Sequence, residues 1–126
     1  MLLPLAGTLV ADLSVIAVLN GSPVGAVFSV PDLSGMLAKV RSGVRLKPGQ
    51  GGGTRGALIN IGVLEEARSR GIARAMAAQS FATMAQHRMR YAGYTLVLDD
   101  NWSSRRTAES LGARVTGNFV SYRRDF

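Results

Sequence analysis

The chain has 126 residues, of which 47% are hydrophobic and 18% are charged, and its net charge is +7. A chain of this length forms about one domain, and its apolar content is too high for an intrinsically disordered protein and too interrupted for a membrane span. It contains no cysteine and one histidine, His87, which excludes disulfides, thiolate metal sites and histidine metal clusters. We therefore predict a single domain over residues 1–126 that holds no metal.

The N-terminal residues, MLLPLAGTLVA, are apolar enough to suggest a secretory signal peptide. They lack the basic residues with which such a peptide begins, and Asp12 leads directly into a predicted strand. We therefore predict a cytoplasmic protein that does not associate with a membrane.

Two apolar runs, Leu13 to Leu19 and Val24 to Val30, are separated by Asn20-Gly21 and then Ser22-Pro23. Asparagine and glycine both tolerate a positive φ, which a tight hairpin turn requires. The pattern predicts an antiparallel β-hairpin.

A short helix is predicted next, with Asp32 or Ser34 as its N-cap and Gly43 at its end. The glycine-rich sequence KPGQGGGTRG then has no regular pattern. A P-loop carries a lysine directly after its last glycine, and residues 51–56 contain no lysine. We interpret this stretch as a surface connector rather than a phosphate loop.

A strand, a helix and a second strand follow. Ala57 to Leu64 is apolar on both faces except at Asn60, which predicts a strand in a sheet that is covered on both sides. An alanine-rich helix begins at about Gly71, and a second buried strand spans Tyr94 to Leu98. Together they predict a right-handed βαβ unit.

The C-terminal part predicts one more helix and one more strand. Asp99-Asp100-Asn101 ends the preceding strand, and Ser103 or Ser104 begins a helix that ends at Leu111, before Gly112. A last strand is predicted from Arg114 to Arg124, with a kink at Gly117.

The turn before the alanine-rich helix, EEARSRGIARAM, combines Arg68, Arg70 and Arg74 with Gly71. Unpaired N–H groups and a positive dipole make a helix N-terminus an anion site, and glycine lets a ligand approach the backbone. Acidic residues in a first turn satisfy the same dipole in ordinary helices, and Glu65-Glu66 are present. From the residues alone, both interpretations stand.

The sequence VLEEARSRGIARAM resembles the acetyl-CoA loop of the GNAT superfamily of N-acetyltransferases, whose pattern is Gln/Arg-x-x-Gly-x-Gly/Ala. Arg68, Gly71 and Ala73 match it in register. Downstream, DNWSSRRTAESLGAR is similar to the family's Asn-x-x-Ala motif and the helix after it, with Asn101 and Ser104 in the motif's places. The resemblance runs from about Leu13 to the C-terminus.

The resemblance implies an α/β (α+β) acyl-CoA N-acyltransferase fold, with a mixed central sheet flanked by helices. Family members usually carry a further strand and two helices before the hairpin, where only residues 1–12 stand here. The resemblance therefore implies either the C-terminal part of a longer enzyme or a partner subunit that supplies these elements. An uncovered sheet edge also favours pairing with another chain, and we expect a homodimer.

The implied co-substrate is acetyl-CoA, and the implied reaction is acetyl transfer to an amine of an unidentified acceptor. The pantetheine arm would pair with the backbone of the first parallel strand, and the pyrophosphate would rest on N–H groups of the turn. Asn101 would face the cofactor, cap its helix, or do both. The cofactor-binding residues implied are Ile61, Gly62, Val63, Arg68, Ser69, Arg70, Gly71, Ile72, Ala73, Asn101 and Ser104.

No catalytic residue is assigned, because the positions of the family's acid and base carry other residue types. The general-acid tyrosine falls on Ala108, and a glutamate base falls on Asn60. Tyr122 is a candidate for a group that reaches the thiol, and His87 is a candidate base. The sequence favours Tyr122 as a core residue of the last strand, His87 as a solvated residue at a helix end, and Trp102 as a loop anchor or acceptor-pocket residue.

The sequence also suits two functions other than acetyl transfer. The substitution at Ala108 and the short N-terminus suit an inactive acetyl-CoA-binding module. The net charge of +7 suits a basic nucleic-acid-binding domain, but the arginines are scattered and are not interleaved with aromatic residues, as that function requires. Nucleic-acid binding is therefore the least favoured of the three.

Overall fold

The structure is a computed structural model that describes residues 10–43, 55–95 and 97–125. Within these ranges, one mixed sheet contains four strands in the order β1-β2-β3-β4. The strands are β1 (Val15–Leu19), β2 (Ser22–Pro31), β3 (Arg55–Val63) and β4 (Tyr91–Tyr94). The helices are α1 (Ser34–Arg41), α2 (Ile72–Gln86) and α3 (Trp102–Ser110), and a 3-10 turn spans Glu65–Ala67. Residues 10–13 are also helical, so the expectation that Asp12 leads directly into a strand is wrong. The predicted α+β class with a mixed sheet is confirmed.

The predicted hairpin forms between β1 and β2, which pair antiparallel from Leu19 with Ser22 onwards. Asn20 and Gly21 have φ angles of 50° and 79°, because a two-residue turn that matches the strand twist needs a positive φ at both central positions. The local sequence therefore defines this corner of the fold.

Helix α2 packs on one face of the sheet, over a core that includes Val27, Leu58, Met76 and Ala77. Glycines in the strands make room for its methionines. A Cβ atom at Gly56 would lie 2.5 Å from the Sδ atom of Met84. The helix therefore lies close to the sheet at this point.

Strands β3 and β4 pair in parallel only from Arg55 with Tyr91 to Leu58 with Tyr94. One further contact follows, in which the Thr95 N–H donates to the Leu58 carbonyl at 3.2 Å. Within the described residues, β3 then continues through residues 59–63 without a partner on this side. The two strands therefore diverge, and the opening between them faces the N-terminus of α2.

The predicted second buried strand, Tyr94 to Leu98, is wrong in its bounds, because β4 ends at Tyr94. An apolar run forms a strand only where a neighbouring strand accepts its hydrogen bonds, and β3 has diverged at this point. The predicted coverage of β3 on both faces is also wrong. Ile59 is exposed, and so are Ile16, Val18 and Phe28 on the same face, away from α2.

The predicted last strand is not present. Residues 113–125 have no regular secondary structure and are exposed. Tyr122 is 93% exposed, so its interpretation as a core residue is wrong. A β-prone segment stays irregular without a partner strand, and none of the described strands pairs with it. None of the described helices has the length and apolar character needed to cross a bilayer.

Candidate functional site

A cavity of about 570 Å³ lies where β3 and β4 diverge. Its walls come from the end of β3, the turn into α2, the last residue of β4 and the first turns of α3. Every predicted cofactor-site residue except Arg70 lines it. Distant segments of the chain therefore meet at one opening, as the predicted parallel βαβ arrangement requires.

The turn into α2 has an unusual backbone. Ser69 and Gly71 have positive φ angles of 62° and 75°. Gly71 is the N-cap of α2, and the first helical hydrogen bond runs from the Ala75 N–H to its carbonyl at 3.0 Å. A Cβ atom at Gly71 would meet no protein atom within 4 Å. Glycine is therefore favoured here by its φ angle, and not by crowding from the protein.

The N-terminus of α2 carries no side-chain cap and no acidic residue in its first turn. The N–H groups of Ile72, Ala73 and Arg74 have no partner within the helix because they precede the first full turn. Glu65 and Glu66 belong to the separate 3-10 turn, so the alternative in which they satisfy the dipole in the first turn of α2 is wrong. The helix end presents positive potential to the cavity.

Two of the three arginines connect the walls of the cavity. The Arg68 Nε donates to the Val63 carbonyl at 3.2 Å, and the Arg74 Nε donates to the Ser110 Oγ at 3.1 Å. A guanidinium has further N–H donors beyond the one used in each case. Arg68 and Arg74 therefore brace β3, α2 and α3 and still bring positive charge to the cavity rim.

Asn101 caps α3, since its Oδ1 accepts the Ser104 N–H at 3.1 Å. The amide nitrogen of Asn101 keeps its donors, and the residue also lines the cavity. Trp102 is exposed and does not line the cavity, and the Arg105 guanidinium lies 5.3 Å from the centre of its ring. The interpretation of Asn101 as a cap is thus confirmed.

The lining also contains residues outside the predicted cofactor-binding set, namely Ala67, Arg74, Tyr94, Ser103 and Thr107. Arg74 belongs to the arginine cluster of the turn but not to that set. Tyr94 stands at the start of the predicted buried strand, although a tyrosine inside an apolar run is itself a signal that its hydroxyl has a polar partner. That partner is the Ser104 Oγ, at 2.8 Å.

The side chains considered for acid or base chemistry lie elsewhere. Ala108 is buried and has no ionisable group, and Asn60 pairs with Phe28 in the sheet and does not line the cavity. His87 ends α2 and lies 3.6 Å from an Asp12 carboxylate oxygen. In the described part of the chain, no three His, Asp or Glu side chains form a group that could hold a metal ion.

The sequence model of the acetyltransferase (GNAT) family matches residues 7–113. No curated protein sequence matches the chain. Among solved structures, the aminoglycoside N-acetyltransferase AAC(6')-Iy in complex with CoA has a TM-score of 0.65 and 21% identity, over 90% of this chain and 75% of that one.

Two further structures have similar values. A ribosomal-protein-alanine N-acetyltransferase from Brucella melitensis biovar Abortus has a TM-score of 0.59 and 18% identity, over 90% of this chain and 68% of that one. The aminoglycoside 6'-N-acetyltransferase AAC(6')-IG from Acinetobacter haemolyticus has a TM-score of 0.59 and 20% identity, over 98% of this chain and 79% of that one. At these identities, the similarity shows a shared fold.

Proposed function

Because this chain belongs to the acetyltransferase (GNAT) family, whose enzymes use acetyl-CoA, we propose that it transfers an acetyl group from acetyl-CoA to an amine. The observation that carries the proposal is the cavity between the diverging strands, where an uncapped helix N-terminus meets an unpaired strand edge. A phosphorylated ligand with an amide-containing arm has the chemistry to use both features.

The turn from Arg68 to Ala73 is the proposed pyrophosphate site. The N–H groups of Ile72 and Ala73 point away from the body of α2, as they do at every helix start. No acid in that first turn competes for them. Arg68 and Arg74 add charge at the rim, and charge-assisted hydrogen bonds to phosphate are stronger than neutral ones. The positive φ at Gly71 keeps this N–H array in place.

The edge of β3 is the proposed site of the pantetheine arm. Residues Ile61 to Val63 line the cavity and lie beyond the last residue of β3 that pairs with β4. Backbone groups at such an edge need partners, and an extended chain with amide groups can pair with them as an added strand. This arm would then fill the opening between β3 and β4.

The acceptor is proposed only as an amine. The structural neighbours are named as aminoglycoside and ribosomal-protein-alanine N-acetyltransferases. We therefore choose an aminoglycoside panel and a peptide with an N-terminal alanine as the first acceptors to test, with thiol release from acetyl-CoA as the readout. We also propose that residues 1–126 act as one domain, in the cytoplasm and as a homodimer.

A second candidate is a module that binds acetyl-CoA without transferring its acetyl group. The observation that favours it is Ala108, which is buried in α3 and offers no acid or base. Binding of acetyl-CoA with no thiol release above the uncatalysed rate, for any amine in the panel, would select this candidate over the enzyme.

The first experiment is thermal unfolding with and without acetyl-CoA. At a concentration of about a hundred times the Kd, binding stabilises the folded protein by about 2.7 kcal/mol, which raises Tm by roughly 10 °C for a domain of this size. We expect Gly71→Glu to abolish this shift, because it adds a carboxylate beside the proposed pyrophosphate site. A wild-type protein that unfolds cooperatively without any shift would contradict the proposal.

Gly112→Glu is the matched control. Gly112 has a φ of 86°, and a Cβ there would meet no atom within 4 Å, as at Gly71. Both variants therefore carry the same backbone strain and the same added charge, but Gly112 does not line the cavity. We expect Gly112→Glu to lower Tm and to keep the acetyl-CoA shift. If both variants lose the shift equally, strain explains the result and the pyrophosphate site is wrong.

A further inference from the structure

Two hydroxyl groups from different elements meet in the wall of the cavity. Tyr94 is the residue of β4 that pairs with Leu58, where β3 and β4 last pair before they diverge. Its ring packs against the core under α2, and its hydroxyl lies 2.8 Å from the Ser104 Oγ on α3. Both residues are half-buried and line the cavity together with Ile61 to Val63.

We propose that Tyr94 gives the proton that the sulfur of CoA needs when the acetyl group leaves, and that Ser104 positions the Tyr94 hydroxyl. This inference rests on the proposed function. It assigns the acid of the reaction to a residue on β4, in a protein whose helix α3 offers only alanine at position 108.

The Tyr94 and Ser104 hydroxyls have one O–H donor more than their mutual hydrogen bond uses. Each hydroxyl carries one O–H donor, and a single hydrogen bond between the two uses only one of them. Among the described residues, neither hydroxyl has another hydrogen-bond partner. When Ser104 donates to Tyr94, the O–H of Tyr94 is left to donate into the cavity.

Ser104 is held in position by the helix cap. It lies in the first turn of α3, where its N–H donates to Asn101. The Tyr94 oxygen is therefore held beside the first turn of α3, at the wall of the cavity.

The proton transfer balances. The amine nitrogen supplies the electron pair of the new carbon–nitrogen bond, the carbon–sulfur bond breaks, and Tyr94 gives its proton to the sulfur. The surplus proton of the amine passes to solvent, and Tyr94 regains a proton from solvent. A phenol is a much stronger acid than a serine hydroxyl, so Tyr94 and not Ser104 is the member of the pair that gives the proton.

The test compares binding of CoA and of desulfo-CoA, which lacks the sulfur, by calorimetry at pH 9, where an aliphatic thiol is largely ionised. A hydrogen bond from Tyr94 to the sulfur makes the wild type prefer CoA. We expect Tyr94→Phe to reduce that preference at least about tenfold, as for loss of a hydrogen bond to a charged group. Binding of desulfo-CoA should not change.

Tyr122→Phe is the matched control, because Tyr122 is exposed outside the cavity; it should keep the wild-type preference. Ser104→Ala should reduce the preference less than Tyr94→Phe, and Ser104→Thr, which keeps the hydroxyl, should restore it. An unchanged preference in Tyr94→Phe, with CoA still bound, overturns this inference alone. A folded wild type that binds neither ligand overturns the proposed function, and this inference with it.

Discussion

The contact between β3 and α2 makes a quantitative prediction about Gly56. A Cβ atom at this position would lie 2.5 Å from the Sδ of Met84 and 2.9 Å from its Cγ and Cε. Met84 is only 1% exposed, so its side chain has little room to move away. The change Gly56→Ala therefore forces either Met84 or the whole helix to shift.

Gly62 provides the reference for this prediction, because it lies in the same strand and a Cβ there would meet nothing within 4 Å. Both alanine substitutions lower the conformational entropy of the unfolded chain equally. This effect alone would stabilise each variant by about 0.5–1 kcal/mol. The difference in unfolding free energy between the two variants therefore isolates the crowding at Met84. Overpacking of a core typically costs about 2 kcal/mol. Gly56→Ala should thus unfold about 8 °C below Gly62→Ala.

The assay is urea denaturation followed by circular dichroism, with the double variant Gly56→Ala/Met84→Ala as a test of cause. If Met84 is the obstacle, the two changes should be non-additive by about 1 kcal/mol or more, because the alanine at residue 84 leaves space for the new methyl group. Equal stabilities for Gly56→Ala and Gly62→Ala would refute the reasoning, as would strict additivity in the double variant.

Three further predictions concern polar contacts. Ser80 donates to the Leu13 carbonyl at 2.8 Å and accepts from the buried Ser29 hydroxyl at 2.8 Å, so Ser80→Ala should cost about 1–3 kcal/mol in urea denaturation; a loss below 0.5 kcal/mol would contradict it. Asn101→Ala should destabilise by about 1 kcal/mol through loss of the α3 cap, whereas Asn101→Asp should keep it; equal losses would exclude capping as the cause. Hydrogen bonds from Ser34 to the Asp32 carboxylate, and then the charge of Arg55, lower the pKa of Asp32 below its usual 3.8. That stabilisation is present above the unfolded pKa and is lost as pH falls through the folded one, so Asp32→Asn should flatten the decline of Tm below pH 4.

Local signals in the sequence predicted the features that depend on a few neighbouring residues. Asn20-Gly21 predicted the hairpin, and both residues have positive φ in the structure. Gly71 predicted the start of α2, and Asn101 predicted the cap of α3. These predictions succeeded because a positive φ or a capping side chain constrains the backbone within one or two residues.

Features that depend on a partner element were predicted less well. The apolar run from residue 94 to 98 looked like a strand, but β3 is no longer beside it after Tyr94. The segment Arg114 to Arg124 looked like a strand too, and no described strand pairs with it. Periodicity and β-propensity report which residues can form a strand, and not whether a hydrogen-bonding neighbour is within reach.

The sequence by itself determined the order of the elements from the hairpin to α3, the βα turn and the set of residues proposed to bind acetyl-CoA, because each depends on the local backbone or on a short motif. Only the tertiary structure decided that β3 and β4 diverge after Leu58 and that Tyr94 meets Ser104 across the opening. Those two residues are close in the chain, but β4 and α3 bring their hydroxyls together from different walls. Only the structure, likewise, shows that one face of the sheet exposes Ile16 and Phe28, because coverage depends on where other elements pack and not on the strands themselves.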